Sequence, residues 1–193
     1  MTYTKKILCS LSVLLLLLVL TQILIFPGCK QVDKNTPEDF EVSMHYDVGA
    51  LPPQYHYYYE IKIGPGEQCF FEYQPGYGEQ PAPLVWKSSF NVSQEQLDNL
   101  YRLLVYYNFF RIFWKEGETP CGSDSTYIEI KAGSKIFKIP SDSGLRGDDA
   151  AKVREIAEFI KELVPQKIWS EMQAMQQDFE NSYDEMMNYQ NDY

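Results

Sequence analysis

Two cysteines and two histidines are the side chains with which the body of this chain would do covalent or metal chemistry. Cys69 and Cys121 lie there with His45 and His56. A thiol nucleophile needs an adjacent base and donors for a developing oxyanion, and neither cysteine carries a local signature of either. Ten residues separate the two histidines, and neither stands at ligand spacing from Asp47 or a cysteine. No metal site is expected, and both histidines are expected to be exposed near sheet edges. Asp142, Asp148 and Asp149 with Gly144 and Gly147 gather oxygens but lack the regular alternation of a calcium loop. Acidic residues at a helix start account for them more simply. Arg146-Gly147-Asp148 is a tripeptide that chance supplies often, and Ser93 in Asn91-Val92-Ser93 is explained as a helix cap. Neither a Gly-x-Ser-x-Gly elbow nor a phosphate loop occurs. The reading therefore assigns no catalytic residue and no cofactor, leans away from an enzyme, and keeps a thiol-dependent or acid hydrolase as the enzymatic alternative.

The strongest signal is one of address. Behind Lys5 and Lys6, Ile7 to Phe26 form an almost unbroken apolar run of 20 residues, closing in Phe26-Pro27-Gly28-Cys29. At 1.5 Å per residue a helix of that length reaches about 30 Å, a hydrocarbon thickness. Its end resembles a bacterial lipobox, in which a small residue precedes a lipidated cysteine; Gly28 and Cys29 fit, while Phe26 and Pro27 depart from the pattern. Three outcomes stay open: an uncleaved signal anchor, lipidation at Cys29, and simple secretion, which the length of the run disfavours. In each, the rest of the chain lies outside the cytoplasm, in the periplasm or at the cell surface, and the membrane is a partner through the N-terminal segment.

Past Cys29 the chain holds 15 basic and 27 acidic residues, a net charge of −12. Such a field repels nucleic acid and anionic headgroups. In an oxidising compartment Cys69 and Cys121 read as a disulfide closing a loop of about 53 residues, worth about 4 kcal/mol in the chain-entropy picture.

Patterning divides the chain into a signal or anchor (1–29), a polar linker (30–39), a domain (40–165) and a C-terminal helix or tail (166–193). Glu41 to Val48 is a first strand. Tyr57, Tyr59, Ile61 and Ile63 then alternate with Tyr58, Glu60 and Lys62, the period of a half-buried strand, and Cys69 to Tyr73 returns antiparallel after Gly64-Pro65-Gly66. Gln74 to Pro83 is rich in Pro and Gly and reads as a long loop. Ser93 and Gln96 have capping-box spacing, and Leu97, Leu100, Tyr101, Leu104 and Asn108 follow at helical spacing. A second hairpin pairs Ile128 to Lys131 with Lys135 to Ile139. A second helix starts at Asp148 or Asp149 and carries Val153, Ile156, Ala157, Ile160, Leu163 and Val164 up to Pro165.

These elements predict an α+β fold, an antiparallel sheet of four to five strands from two hairpins with two helices on one face. Tyr59-Glu60-Ile61-Lys62-Ile63-Gly64 matches Ile128-Glu129-Ile130-Lys131-Ala132-Gly133 at four of six positions, which suggests a tandem strand-strand-helix repeat. With Phe90-x-x-Ser93 at the start of the first helix and Asn108-Phe109-Phe110 at its exit, the order of elements resembles small uncharacterised domains of exported bacterial lipoproteins over about residues 55 to 165. That resemblance implies a periplasmic or surface location and no activity.

Two surfaces invite partners. Trp169, Met172, Met175, Phe179, Tyr183, Met186 and Tyr189 step by three or four along an acidic tail, a stripe suited to a protein groove or to self-association. The alternative is a glycan platform from Tyr57, Tyr58, Tyr77 and Trp86. The expectation is a membrane-tethered, non-enzymatic binding or structural module of the cell envelope that contacts proteins first and glycan as the alternative.

Overall fold

The computed structural model describes residues 35–66, 69–78 and 84–191, which fall in one compact unit spanning Asp33–Tyr193. The apolar run, Cys29 and the side chains of Met186 and Tyr189 lie outside the described residues. Among the described residues no helix is long and apolar enough to cross a membrane.

The class is α+β, and among the described residues there are one six-stranded antiparallel sheet and three α-helices. In chain order these are β1 (Glu41–Asp47), β2 (Tyr57–Ile63), β3 (Cys69–Pro75), β4 (Trp86–Phe90), α1 (Gln94–Tyr106), β5 (Ser125–Ala132), β6 (Lys135–Ile139), α2 (Asp148–Leu163) and α3 (Gln166–Asn191). Spatial order is β4-β3-β2-β1-β5-β6. Four strands meander from β1 outward; α1 then returns the chain over the sheet so that β5 pairs with the free side of β1.

Alternation sorts the residues into two faces. Val42 and Met44 stand between Ile63 and Ile61 of β2 and Ile130 and Ile128 of β5, and Phe71 continues the row through Ile61; all are buried. The opposite face carries ion pairs such as Lys62–Glu41, Lys87–Glu72 and Lys138–Glu129, and holds the exposed Tyr58, Phe70 and Tyr127. The helices cover the apolar face. Leu97, Leu100, Tyr101 and Leu104 of α1 and Val153, Ile156, Ala157 and Ile160 of α2 are the stripes expected from their spacing, and all are buried. Phe40 meets Tyr101 edge to face at 5.0 Å, locking the start of β1 under α1.

The capping box of α1 is formed on both sides. Ser93 Oγ accepts from the Gln96 backbone N–H at 3.2 Å, and Gln96 Oε1 accepts from the Ser93 N–H at 2.8 Å. Ser93→Ala leaves orphan donors at the helix start and should cost about 1 kcal/mol, read as a lower urea midpoint with an unchanged denaturant slope. The β5–β6 turn has Gly133 and Ser134 at φ 57° and 61°, the geometry of a two-residue hairpin. Asp39 accepts from both of their backbone N–H groups at 2.8 and 2.7 Å, which holds its carboxyl below the usual range.

Several expectations are corrected. The sheet has six strands: β3 runs on to Pro75, and β4 lies just past the Pro-rich segment. The four-of-six match does not mark a repeat, because four strands precede α1 and only two lie between α1 and α2. Its two strings also sit out of step against β1, where Val42 faces Ile63 on one side and Ile130 on the other. Gly147, not an aspartate, is the N-cap of α2, and it makes no side-chain hydrogen bond. His56 is buried, and His45 sits on the central strand stacked on Tyr127 at 4.3 Å.

Cys69 and Cys121 are both free thiols, the first buried and the second exposed. Cys69 opposes Phe90 at the Ile63 end of the sheet. The turn of Cys121 lies at the other end, where a Cβ on Gly49 would come 2.6 Å from the Gly122 carbonyl. Seven-residue strands separate those ends by about 20 Å, well beyond the Cα separation a disulfide spans. The fold does not bring the expected staple together.

Candidate functional site

Direct cross-strand register builds a ladder of rings. Tyr46 of β1 faces Tyr59 of β2, which faces Tyr73 of β3, which faces Trp86 of β4. Tyr46 and Tyr59 stack at 4.9 Å, and Tyr73 and Trp86 at 5.5 Å. Tyr57, two residues before Tyr59 and on the same face, stacks on Tyr73 at 5.1 Å. Opposed aromatic side chains on one face of a sheet stabilise their pairing as well as burying area.

Pro165 ends α2 and lets α3 fold back beside the ladder. Trp169 inserts edge-on between Tyr59, at 5.3 Å, and Phe71, at 4.7 Å. Its indole N–H donates to the Lys161 carbonyl at 3.2 Å, tying α3 to the last turn of α2. Met172 is buried one turn on. Gln176 then bridges three elements: its Oε1 accepts from Tyr73 Oη at 3.3 Å, and its Nε2 donates to the Gln54 carbonyl at 3.0 Å and to Glu180 at 3.1 Å.

Between ladder and helices lies an open groove of about 750 Å³. Tyr46, Tyr57, Tyr59, Tyr73 and Trp169 give it aromatic walls, and Gln173, Gln176, Gln177, Glu162 and Glu180 line it with amides and carboxylates. The Lys161 ammonium sits 5.3 Å from the Tyr46 ring centre. Burial pushes the hydroxyls of Tyr46, Tyr59 and Tyr73 well above the ordinary tyrosine value, with neighbouring phenols and carboxylates adding to it, so these phenols stay neutral well into the alkaline range. Flat neutral faces next to amide donors and acceptors suit an uncharged ligand with both CH surface and hydroxyls.

A second hollow of about 380 Å³ opens on the β4 side of α3, lined by Leu84, Trp86, Met175, Asp178, Phe179 and Ser182. The two surfaces proposed from the sequence therefore meet: Trp169 packs on the tyrosine row, and Phe179 shares a cleft with Trp86. The stripe that faces the sheet is Ile168, Met172 and Gln176, with Met175 turned out and Tyr183 half-buried. Trp169 and Met172 are engaged within their own domain.

The tyrosines expected to form one platform are divided. Tyr57 faces the groove, while Tyr58 lies on the opposite side of the sheet, donating to Gln74 Oε1 at 2.5 Å. Tyr77 stacks on His56 at 3.8 Å and donates to the Leu51 carbonyl at 2.6 Å. Gln176 escaped sequence reading because a glutamine breaks an apolar stripe; its one signal was the four-residue step from Met172.

The thiols and imidazoles do not converge. Burial pushes the Cys69 thiol up, the opposite of what a nucleophile needs. Both nitrogens of His56 are engaged, Nδ1 with the Gly76 carbonyl at 3.0 Å and Nε2 with Asp47 at 3.3 Å. Among the described residues no three His, Cys, Asp or Glu side chains are grouped as a metal ion would require. No family model matches the chain, and no curated protein is similar to it.

Proposed function

We propose that this chain is a membrane-tethered binding module of the cell envelope, exposed outside the cytoplasm and working without catalysis, and that it holds a saccharide in the groove beside the tyrosine ladder. The apolar run from Ile7 to Phe26 supports the tether. The observation that carries the ligand class is the groove itself: the half-buried rings of Tyr46, Tyr57 and Trp169, backed by the buried Tyr59 and Tyr73, beside the amides of Gln173, Gln176 and Gln177. Sugar rings offer CH faces to aromatic faces and hydroxyls to amides, and neither contact requires charge. The net charge of −12 past Cys29 argues for a neutral polymer over an anionic one.

The test is titration with soluble cell-wall oligosaccharide, followed by tryptophan emission because Trp169 lines the groove, together with sedimentation on the insoluble polymer. Tyr57→Ala should remove about 1.5 kcal/mol of stacking, roughly a tenfold weaker Kd. Tyr58→Ala, on the opposite face, should bind as the parent does. Equal affinity of the parent and Tyr57→Ala for every oligosaccharide and for the polymer would sink this reading.

A second reading places a protein, or another copy of the chain, in the cleft between β4 and α3. It is favoured by exposed apolar rims, Leu84 at 50% and Met175 at 37% exposure. Self-association through this cleft would be lost in Met175→Asp, measured by sedimentation equilibrium.

A further inference from the structure

The loop after α1 presents two large apolar side chains to solvent. Ile112 is 82% and Phe113 86% exposed, and Tyr106 at the end of α1 is exposed as well. They stand within Arg111-Ile112-Phe113-Trp114-Lys115, a stretch with a base at each end and no acid, in a region that otherwise carries an excess of acids. The loop is not loose. Phe109 is fully buried and meets Trp114 edge to face at 5.2 Å. Arg111 lies over the Trp114 ring at 3.8 Å and pairs with Asp149 at 2.7 Å. The Glu116–Leu145 bridge and the hydrogen bond from the Arg146 N–H to the Lys115 carbonyl pin the far side. A braced loop thus holds an aliphatic and an aromatic side chain out in water.

We propose that Ile112 and Phe113 insert into the headgroup boundary of the bilayer to which the chain is tethered, giving the domain a second membrane contact. This rests on the tethered reading above. Eight residues, 27 to 34, separate Phe26 from the first described residue, a reach of about 28 Å when extended. The chain enters the fold at Thr36, whose hydroxyl donates to Asp98 of α1 at 2.7 Å. From Asp98 the helix rises about 12 Å to Tyr106, where the loop begins, so the linker is long enough for the loop to touch the surface. Aromatic and aliphatic side chains beside an exposed lysine are the chemistry of the lipid–water boundary, where the ring is buried and the basic stem, here Lys115, reaches back to the headgroups, while Arg111 stays committed to Trp114 and Asp149. The contact is apolar in the main, so it does not depend on anionic lipid, which the overall charge opposes.

The test uses the full chain reconstituted in phosphatidylcholine vesicles whose acyl chains are brominated next to the headgroup. Phe113→Trp should float with the vesicles and lose most of the emission it adds, with a blue shift. Tyr127→Trp, on the open face of the sheet, should float and stay unquenched. Ile112→Ser with Phe113→Ser should still float and should relieve bromine quenching of Trp114. Flotation of Phe113→Trp with its added indole unquenched and open to aqueous iodide overturns the second contact alone. Shielding from iodide without bromine quenching also overturns it, and assigns the patch to another copy of the chain. Failure of the chain to float removes the tether and this contact with it.

Discussion

Trp169→Ala will lower the unfolding free energy by about 3 kcal/mol, the low end for a large aromatic in a core because the indole is half-buried. The loss has three parts that act together. The ring leaves its edge-on seat between Tyr59 and Phe71, the Lys161 carbonyl loses its indole donor, and a cavity opens beside the ladder. For a domain of ordinary marginal stability that is a large fraction of the total. Urea unfolding followed by circular dichroism measures it, and oligosaccharide titration of the folded variant measures the second consequence, loss of groove binding as α3 swings from the sheet. A change under about 0.5 kcal/mol would mean that α3 does not dock there, since exposed substitutions have effects of that size.

Raising the pH through 10 will destabilise the fold steeply. Burial lifts the Tyr59 and Tyr73 hydroxyls above the ordinary value of 10.0, and Tyr46 is raised for the same reason. In the unfolded chain these phenols ionise near 10, while in the folded chain they keep their protons. Above pH 10 the native state therefore binds more protons than the unfolded state, and stability falls as pH rises. Below pH 10 both states are protonated and the contribution is fully present. Each retained proton is worth about 1.4 kcal/mol per pH unit once the unfolded phenol is ionised. The buried pair Tyr59 and Tyr73 gives on the order of 3 kcal/mol between pH 10.5 and 11.5. Tyrosinate absorbance during alkaline titration should show a late group that ionises only as the fold opens. If all 15 tyrosines titrated together near pH 10 with the fold intact, the ladder would be water-exposed.

Much of the fold was legible because its causes are local. Alternation from Tyr57 to Ile63 follows from the two-residue period of a strand, and the Ser93–Gln96 box from donors left open within one turn. The strand β4 was not, because Trp-Lys-Ser-Ser-Phe has no strong alternation and gains its place by pairing with β3. His56 looked like a surface residue near Pro52-Pro53; its burial comes from Tyr77 and Gly76 closing over it from 20 residues further on. Asp142 looked like part of a helix cap, yet its Oδ1 accepts from the Thr126 N–H at 2.8 Å and orders the start of β5.

By itself the sequence determined the α+β class, which residues of β2, β5, α1 and α2 face inward, and an apolar N-terminal run followed by an acidic body, since each of these is a property of neighbours along the chain. Only the tertiary structure decided that Tyr46, Tyr59, Tyr73 and Trp86 form one row, that the tail folds back to make a groove with them, and that Cys69 and Cys121 stay apart. Those outcomes depend on strand order and register, which are set by the combined burial of residues more than a hundred positions apart, and no short window of sequence carries that sum.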